Sequence, residues 1–102
     1  MKAEKLVETK EENDYITRKY HIIKDISDVD EQTLIELCER YEDDYETAYS
    51  YGISFTFDED LFCVEVNPFI EKLEEEIEDE EDEFISNMIK KLEKYRGYTI
   101  YF

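Results

Sequence analysis

The chain has 102 residues, 41% of them hydrophobic and 15% aromatic, which is room and material for one modest core in one domain and too apolar for a disordered acidic tail. Thirty acidic residues against twelve basic give a net charge of −18. Such a field repels phosphate backbones and anionic membrane surfaces, so direct nucleic-acid and membrane binding are excluded. A basic protein, a cation or plain solvent are the partners it permits. No run approaches the ~20 apolar residues of a membrane span, and the start, Met1 to Glu8, lacks the apolar stretch of a signal peptide. The expectation is a soluble, cytoplasmic protein.

In chain order, residues 1–13 alternate charges with few apolar groups and read as a flexible arm. Tyr15 to Ile26 alternates as a strand: Ile16, Tyr20, Ile22 and Ile26 form an apolar face, with Tyr15, Thr17, Lys19, His21 and Ile23 opposite. Ser27 and Asp30 resemble a capping box that starts a helix. Leu34, Leu37, Cys38, Tyr41, Tyr45, Ala48 and Tyr49 then recur at three- and four-residue spacing, predicting one amphipathic helix that Gly52 ends. Ile53, Phe55 and Phe57 alternate as a second strand. Asp58-Glu59-Asp60 makes a turn, and Phe62, Val64 and Val66 form a third strand, giving a hairpin. Asn67-Pro68 opens a second helix, with Asn as cap and Pro in the first turn. Its apolar stripe runs from Ile70 to Tyr95 and skips Glu80 and Glu81, so a bend or break is expected near Asp79 to Asp82. Gly97 ends it, and Tyr98 to Phe102 is the last strand.

The order β-α-β-β-α-β is the ferredoxin-like signature, an α+β fold with an antiparallel sheet and two helices on one face. Gly52 to Phe57 echoes Gly97 to Phe102, each glycine closing a helix and opening a strand. Residues 14–102 are therefore read as one domain of two similar βαβ motifs, 14–57 and 61–102, packed face to face. The last strand falls at a sheet edge in that scheme, where an apolar, uncharged strand can pair with another.

Chemistry-bearing groups are sparse. His21 is the only histidine, and neither Cys38 nor Cys63 has a second Cys or a His two to four residues away, so no metal site is expected. The two cysteines read as small buried hydrophobes. With two glycines in the chain there is no Gly-rich phosphate loop, and neither a cofactor nor a catalytic grouping is expected. What remains is surface. Tyr15, Thr17, Lys19, His21, Ser54, Thr56, Cys63, Glu65, Thr99 and Tyr101 would share the sheet face the helices leave open. The candidate partner-binding residues are Tyr15, Lys19, His21, Tyr98, Tyr101 and Phe102.

Separately, Glu74 to Glu83 holds nine acidic residues in ten. As a helix it would rise ~15 Å, about one charge per 1.7 Å, the linear density of duplex DNA. Any nearly all-acidic helix reproduces that density, and a solvated helix face is the plainer reading. As a DNA mimic, the stripe would be Glu74, Glu75, Glu78, Asp79, Glu81 and Asp82.

Length, the Glu-, Lys-, Tyr- and Ile-rich usage, the single Gln32, and stretches such as Glu74 to Glu83 and Tyr98 to Phe102 resemble the small orphan proteins of filamentous and rod-shaped viruses of hyperthermophilic archaea. The resemblance implies residence in a host cytoplasm and a non-enzymatic role; it carries over no site residues. The expected function is a protein–protein interaction module. It would hold a protein or peptide between its two motifs, on the open sheet face or at a sheet edge, and a homodimer is compatible with the edge. The alternative is an acidic DNA-mimic inhibitor of a host nucleic-acid-binding or defence protein.

Overall fold

The computed structural model describes residues 1–76 and 83–102. It is an α+β fold: a five-stranded antiparallel sheet and, among the described residues, four α-helices.

The chain begins with a strand. β1 (Lys2–Glu12) and β2 (Tyr15–Ile23) pair along their whole length, and Asn13 and Asp14 alone connect them. Both connecting residues have positive φ, 48° and 69°. Positive φ at both central positions is the pattern of a type I′ hairpin turn, whose twist matches that of the strands, and Asn and Asp tolerate it best after glycine. The arm expected over 1–13 is therefore corrected: charged alternation there belongs to a solvated strand. Val7 is an extra residue in β1, since the register shifts between Leu6 and Glu8.

Asp30 caps α1 (Glu31–Glu39), accepting from the backbone N–H of Gln32 at 3.2 Å and from Thr33 Oγ1 at 2.8 Å. The single helix expected to reach Tyr49 is two. After a turn at Arg40 to Asp44, α2 (Tyr45–Ser50) starts afresh, because Asp44 accepts from the Thr47 N–H at 3.2 Å and from Thr47 Oγ1 at 2.7 Å. A capping side chain inside an apolar stripe competes with continuation of the helix, and here it wins.

Gly52, at φ 74°, leads into β3 (Ile53–Phe55), and a turn through Asp58, Glu59 and Asp60 leads to β4 (Leu61–Glu65). α3 (Val66–Glu76) follows without a linker. Asn67 does not cap it; its Oδ1 accepts from the Gly97 N–H at 2.9 Å, tying the helix start to the turn before the last strand. α4 (Glu83–Leu92) ends in a short 3-10 turn, Glu93–Tyr95, before β5 (Thr99–Tyr101). The expected break near Asp79 to Asp82 falls outside the described residues.

The strand order is β2-β1-β5-β4-β3. It replaces the ferredoxin-like order, and the doubled motif goes with it. β2 and β3, the strands of the proposed first copy, lie at opposite edges. β4 and β5, those of the second, are antiparallel neighbours, whereas a βαβ unit needs parallel ones. The missing ingredient was β1, which sits between β2 and β5. As a consequence β5 is paired on both sides and is the middle strand, not an edge.

Register places Ile23, Ala3, Ile100, Val64 and Ile53 in one row across all five strands. The helices cover that face. Ala3, Ile100 and Val64 are fully buried there with Phe69, Ile70, Leu73, Leu34 and Leu92. Alternation puts the flanking rows on the other face: Ile22, Glu4, Thr99 and Glu65 in one, Lys2, Tyr101, Cys63 and Ser54 in the next, and Leu6 with Tyr20 beyond.

Candidate functional site

The side of β2 expected to be buried is exposed, as is the opposite side up to Ile23. Ile22, Tyr20 and Ile16 share the open face with Leu6, and these four are 47%, 50%, 56% and 48% exposed. Of the expected apolar set only Ile26, beyond the strand, enters the core. The stripe lies on the face opposite the helical cover, so α1 to α4 do not shield it. Tyr101 continues the stripe toward the sheet centre. It takes an edge-on contact from Phe62, with ring centroids 5.5 Å apart, and Lys2 Nζ sits 5.6 Å from its ring centre. Desolvation raises the Tyr101 phenol above its ordinary value, and the Glu4 charge adds to this.

The expected platform is thus split between two faces. Tyr15, Thr17, Lys19 and His21 project on the same side as the helices, while Ser54, Cys63, Glu65, Thr99 and Tyr101 lie on the open side. Among the six candidate partner-binding residues the structure brings together one pair. Tyr98 Oη and His21 Nδ1 are 2.7 Å apart, with the rings edge to face and Lys5 Nζ 5.7 Å from the Tyr98 ring centre. Lys19 is further along β2 and is ion-paired to Glu8 at 3.4 Å; Tyr15 is exposed at the hairpin's end. Phe102 packs against the core, its N–H donating to the Phe62 carbonyl at 3.1 Å. Leu6, Tyr20 and Ile22 were missed as surface residues. The signal that could have found them was the Asn13-Asp14 pair between two alternating runs.

Of the acidic stripe, the described members are locally engaged. Glu74 meets Arg96 at 3.8 Å and Glu75 meets Lys72 at 3.4 Å. Glu76 Oε1 accepts from both Tyr41 and Tyr51, whose rings stack 4.5 Å apart. Desolvation first, and the Glu76 carboxylate second, push both phenols up, Tyr51 further. Glu78, Asp79, Glu81 and Asp82 lie outside the described residues. On the helical side Asp28 accepts from the Tyr95 hydroxyl and pairs with Lys94, fastening the segment before α1 to the 3-10 turn. Cys38 is buried, and desolvation pushes its thiol up to about 12; Cys63 is raised by the same cause.

Among the described residues no group of three or more His, Cys, Asp or Glu side chains is arranged to hold a metal ion, and no helix is long and apolar enough to cross a membrane. No family model matches the chain, and searches of curated proteins and of solved structures find no match either.

Proposed function

We propose that the protein works by binding another protein on the open face of its sheet, not by catalysis. One observation carries the reading: Leu6, Tyr20 and Ile22 are neighbours on a hairpin face with no helix over them among the described residues, and Ile16 lies further along the same face beyond Arg18. Contiguous apolar side chains left in water mark contact surfaces, and aromatic residues such as Tyr20 and Tyr101 are the kind that anchor them. The partner that fits is apolar where it meets the stripe and carries charges of both signs around it, because the hairpin that bears the stripe is itself electrically neutral.

The second reading, an acidic DNA mimic, draws on charge distribution. Residues 1–26 hold six basic and six acidic residues, so the whole −18 resides in residues 27–102. One experiment separates the two. A photo-crosslinking amino acid placed at Tyr20 is expected to capture a defined protein from the native host, and one placed at the exposed Glu39 is not. Capture should fall at least tenfold when Ile22→Lys is added, the effect of a charge in an apolar contact. Equal capture from both positions overturns the open-face reading. Capture that survives Ile22→Lys but ends when Glu74, Glu75, Glu78 and Glu81 are changed to Lys assigns mimicry.

A further inference from the structure

The outer edge of β2 is a nine-residue row of backbone groups with no strand beside it among the described residues. Edges of that length usually carry a proline or an inward charge, or are covered; β2 has no proline, lies outside the helical layer, and its one charge on the helices' side, Lys19, is neutralised by Glu8 within the same hairpin. From this edge and its charge pattern we infer that a second copy of the chain occupies it. The two β2 strands pair antiparallel about a two-fold axis at Lys19, joining two sheets into one of ten strands. This goes beyond the binding reading and stands without it, since the open face stays open on both copies.

Charge selects the occupant. The chain as a whole repels its own kind, but residues 1–26 are electrically neutral, and of the two β2 cations Lys19 is paired with Glu8. Meeting through β2 puts four hairpin strands between the two acidic bodies. From β5 of one copy to β5 of the other is about five strand spacings, ~24 Å, some three Debye lengths at physiological salt.

The sequence of β2 is also complementary to itself. In an antiparallel pair centred on Lys19, residues whose numbers sum to twice nineteen face one another on the same side of the sheet. Ile16 then faces the partner's Ile22, and Arg18 faces the partner's Tyr20, a cation over a ring, each twice by symmetry. On the other side Tyr15 faces the partner's Ile23 and Thr17 faces the partner's His21. Lys19 meets its own copy, but each Lys19 is already held by Glu8 at 3.4 Å. Arg18 makes no ion pair among the described residues, which leaves it free for the facing ring. All nine residues of β2 are used, because Lys19 is its midpoint.

The test combines sedimentation equilibrium of the unaltered chain with cysteine variants oxidised by glutathione disulfide. The native Cys38 and Cys63 are buried and do not compete. The chain is expected to form a reversible dimer that tightens as NaCl is raised, since screening removes repulsion between the acidic bodies. Lys19→Cys should give a disulfide-linked dimer by itself, because facing Cα atoms in an antiparallel pair lie within disulfide reach. Ile16→Cys should not, yet should crosslink when mixed with Ile22→Cys. Tyr20→Arg, which sets like charges opposite each other twice, should raise the dissociation constant about tenfold, and Tyr20→Glu should not raise it. A chain that stays monomeric at about 1 mM in high salt overturns the inference. So does a dimer that crosslinks equally at Ile16 alone and at Lys19, or one that loosens as salt is added.

Discussion

Asp30 shows how a single carboxylate decides where an element begins. Its two oxygens take the Gln32 N–H and the Thr33 hydroxyl, and the Thr33 bond, ahead of the backbone bonds, holds its carboxyl below the ordinary value of 3.8. A carboxylate with a depressed folded pKa adds stability above the unfolded value and loses it as pH falls through the folded one. Replacing Asp30 with Ala is therefore expected to lower the melting temperature at pH 7, and the gap between variant and parent should close below about pH 3.8, readable by circular dichroism. A gap that stays constant down to pH 2.5 rejects this account. The capping box expected at Ser27 starts the helix three residues too early, because Asp30 itself is the cap, and at Asp44 an Asp and a Thr three residues apart sit inside an otherwise helical spacing. Periodicity reports which side of a helix is apolar; it is silent on a cap that interrupts it.

At the scale of elements, the strands expected at 53–57, 61–66 and 98–102 and the two helix-rich stretches are where alternation and spacing put them, slightly shortened. What spacing could not supply was adjacency. The likeness of Gly52 to Phe57 and Gly97 to Phe102 is real at the level of backbone: both glycines have positive φ, and both following strands pair with β4. It reflects a shared local task, turning from a helix into a strand beside β4, and no shared motif. The task is stricter at Gly52. A Cβ there would meet Pro68 Cγ at 2.6 Å and the Glu65 carbonyl oxygen at 2.9 Å, besides the strain of φ 74°. Gly52→Ala is expected to destabilise the fold by about 2–4 kcal/mol. Gly97→Ala, whose nearest neighbours are the flexible end of Lys5, should cost less. Urea titrations of the pair decide it; equal losses would show that φ alone matters. The open face was misassigned for a related reason. An apolar row of Ile16, Tyr20 and Ile22 marks one side of β2, but which side the helices cover depends on β1, whose few apolar residues hid it.

For the molecule as a whole, the −18 charge is a burden on the compact state, because folding gathers 30 acidic side chains into a body 53 × 29 × 24 Å. The seven ion pairs among the described residues are surface pairs, worth little each. Screening should therefore help more through relieved repulsion than it harms through weakened pairs. Raising NaCl from about 10 mM to about 0.5 M shrinks the Debye length from ~30 Å to ~4 Å, and the melting temperature is expected to rise by several degrees in calorimetry. A flat or falling curve would mean that the pairs, not the repulsion, dominate.

The position of β5 between β1 and β4 has a kinetic sequel. Ala3 faces Ile100, so the seam that unites the β1–β2 ribbon with the β3–β4 ribbon joins segments far apart in the sequence. Each ribbon closes locally and can form during synthesis, but neither has the other to lean on until β5 has left the ribosome. Up to that moment the two ribbons are separate half-sheets with bare borders, and β5 is the zipper that joins them.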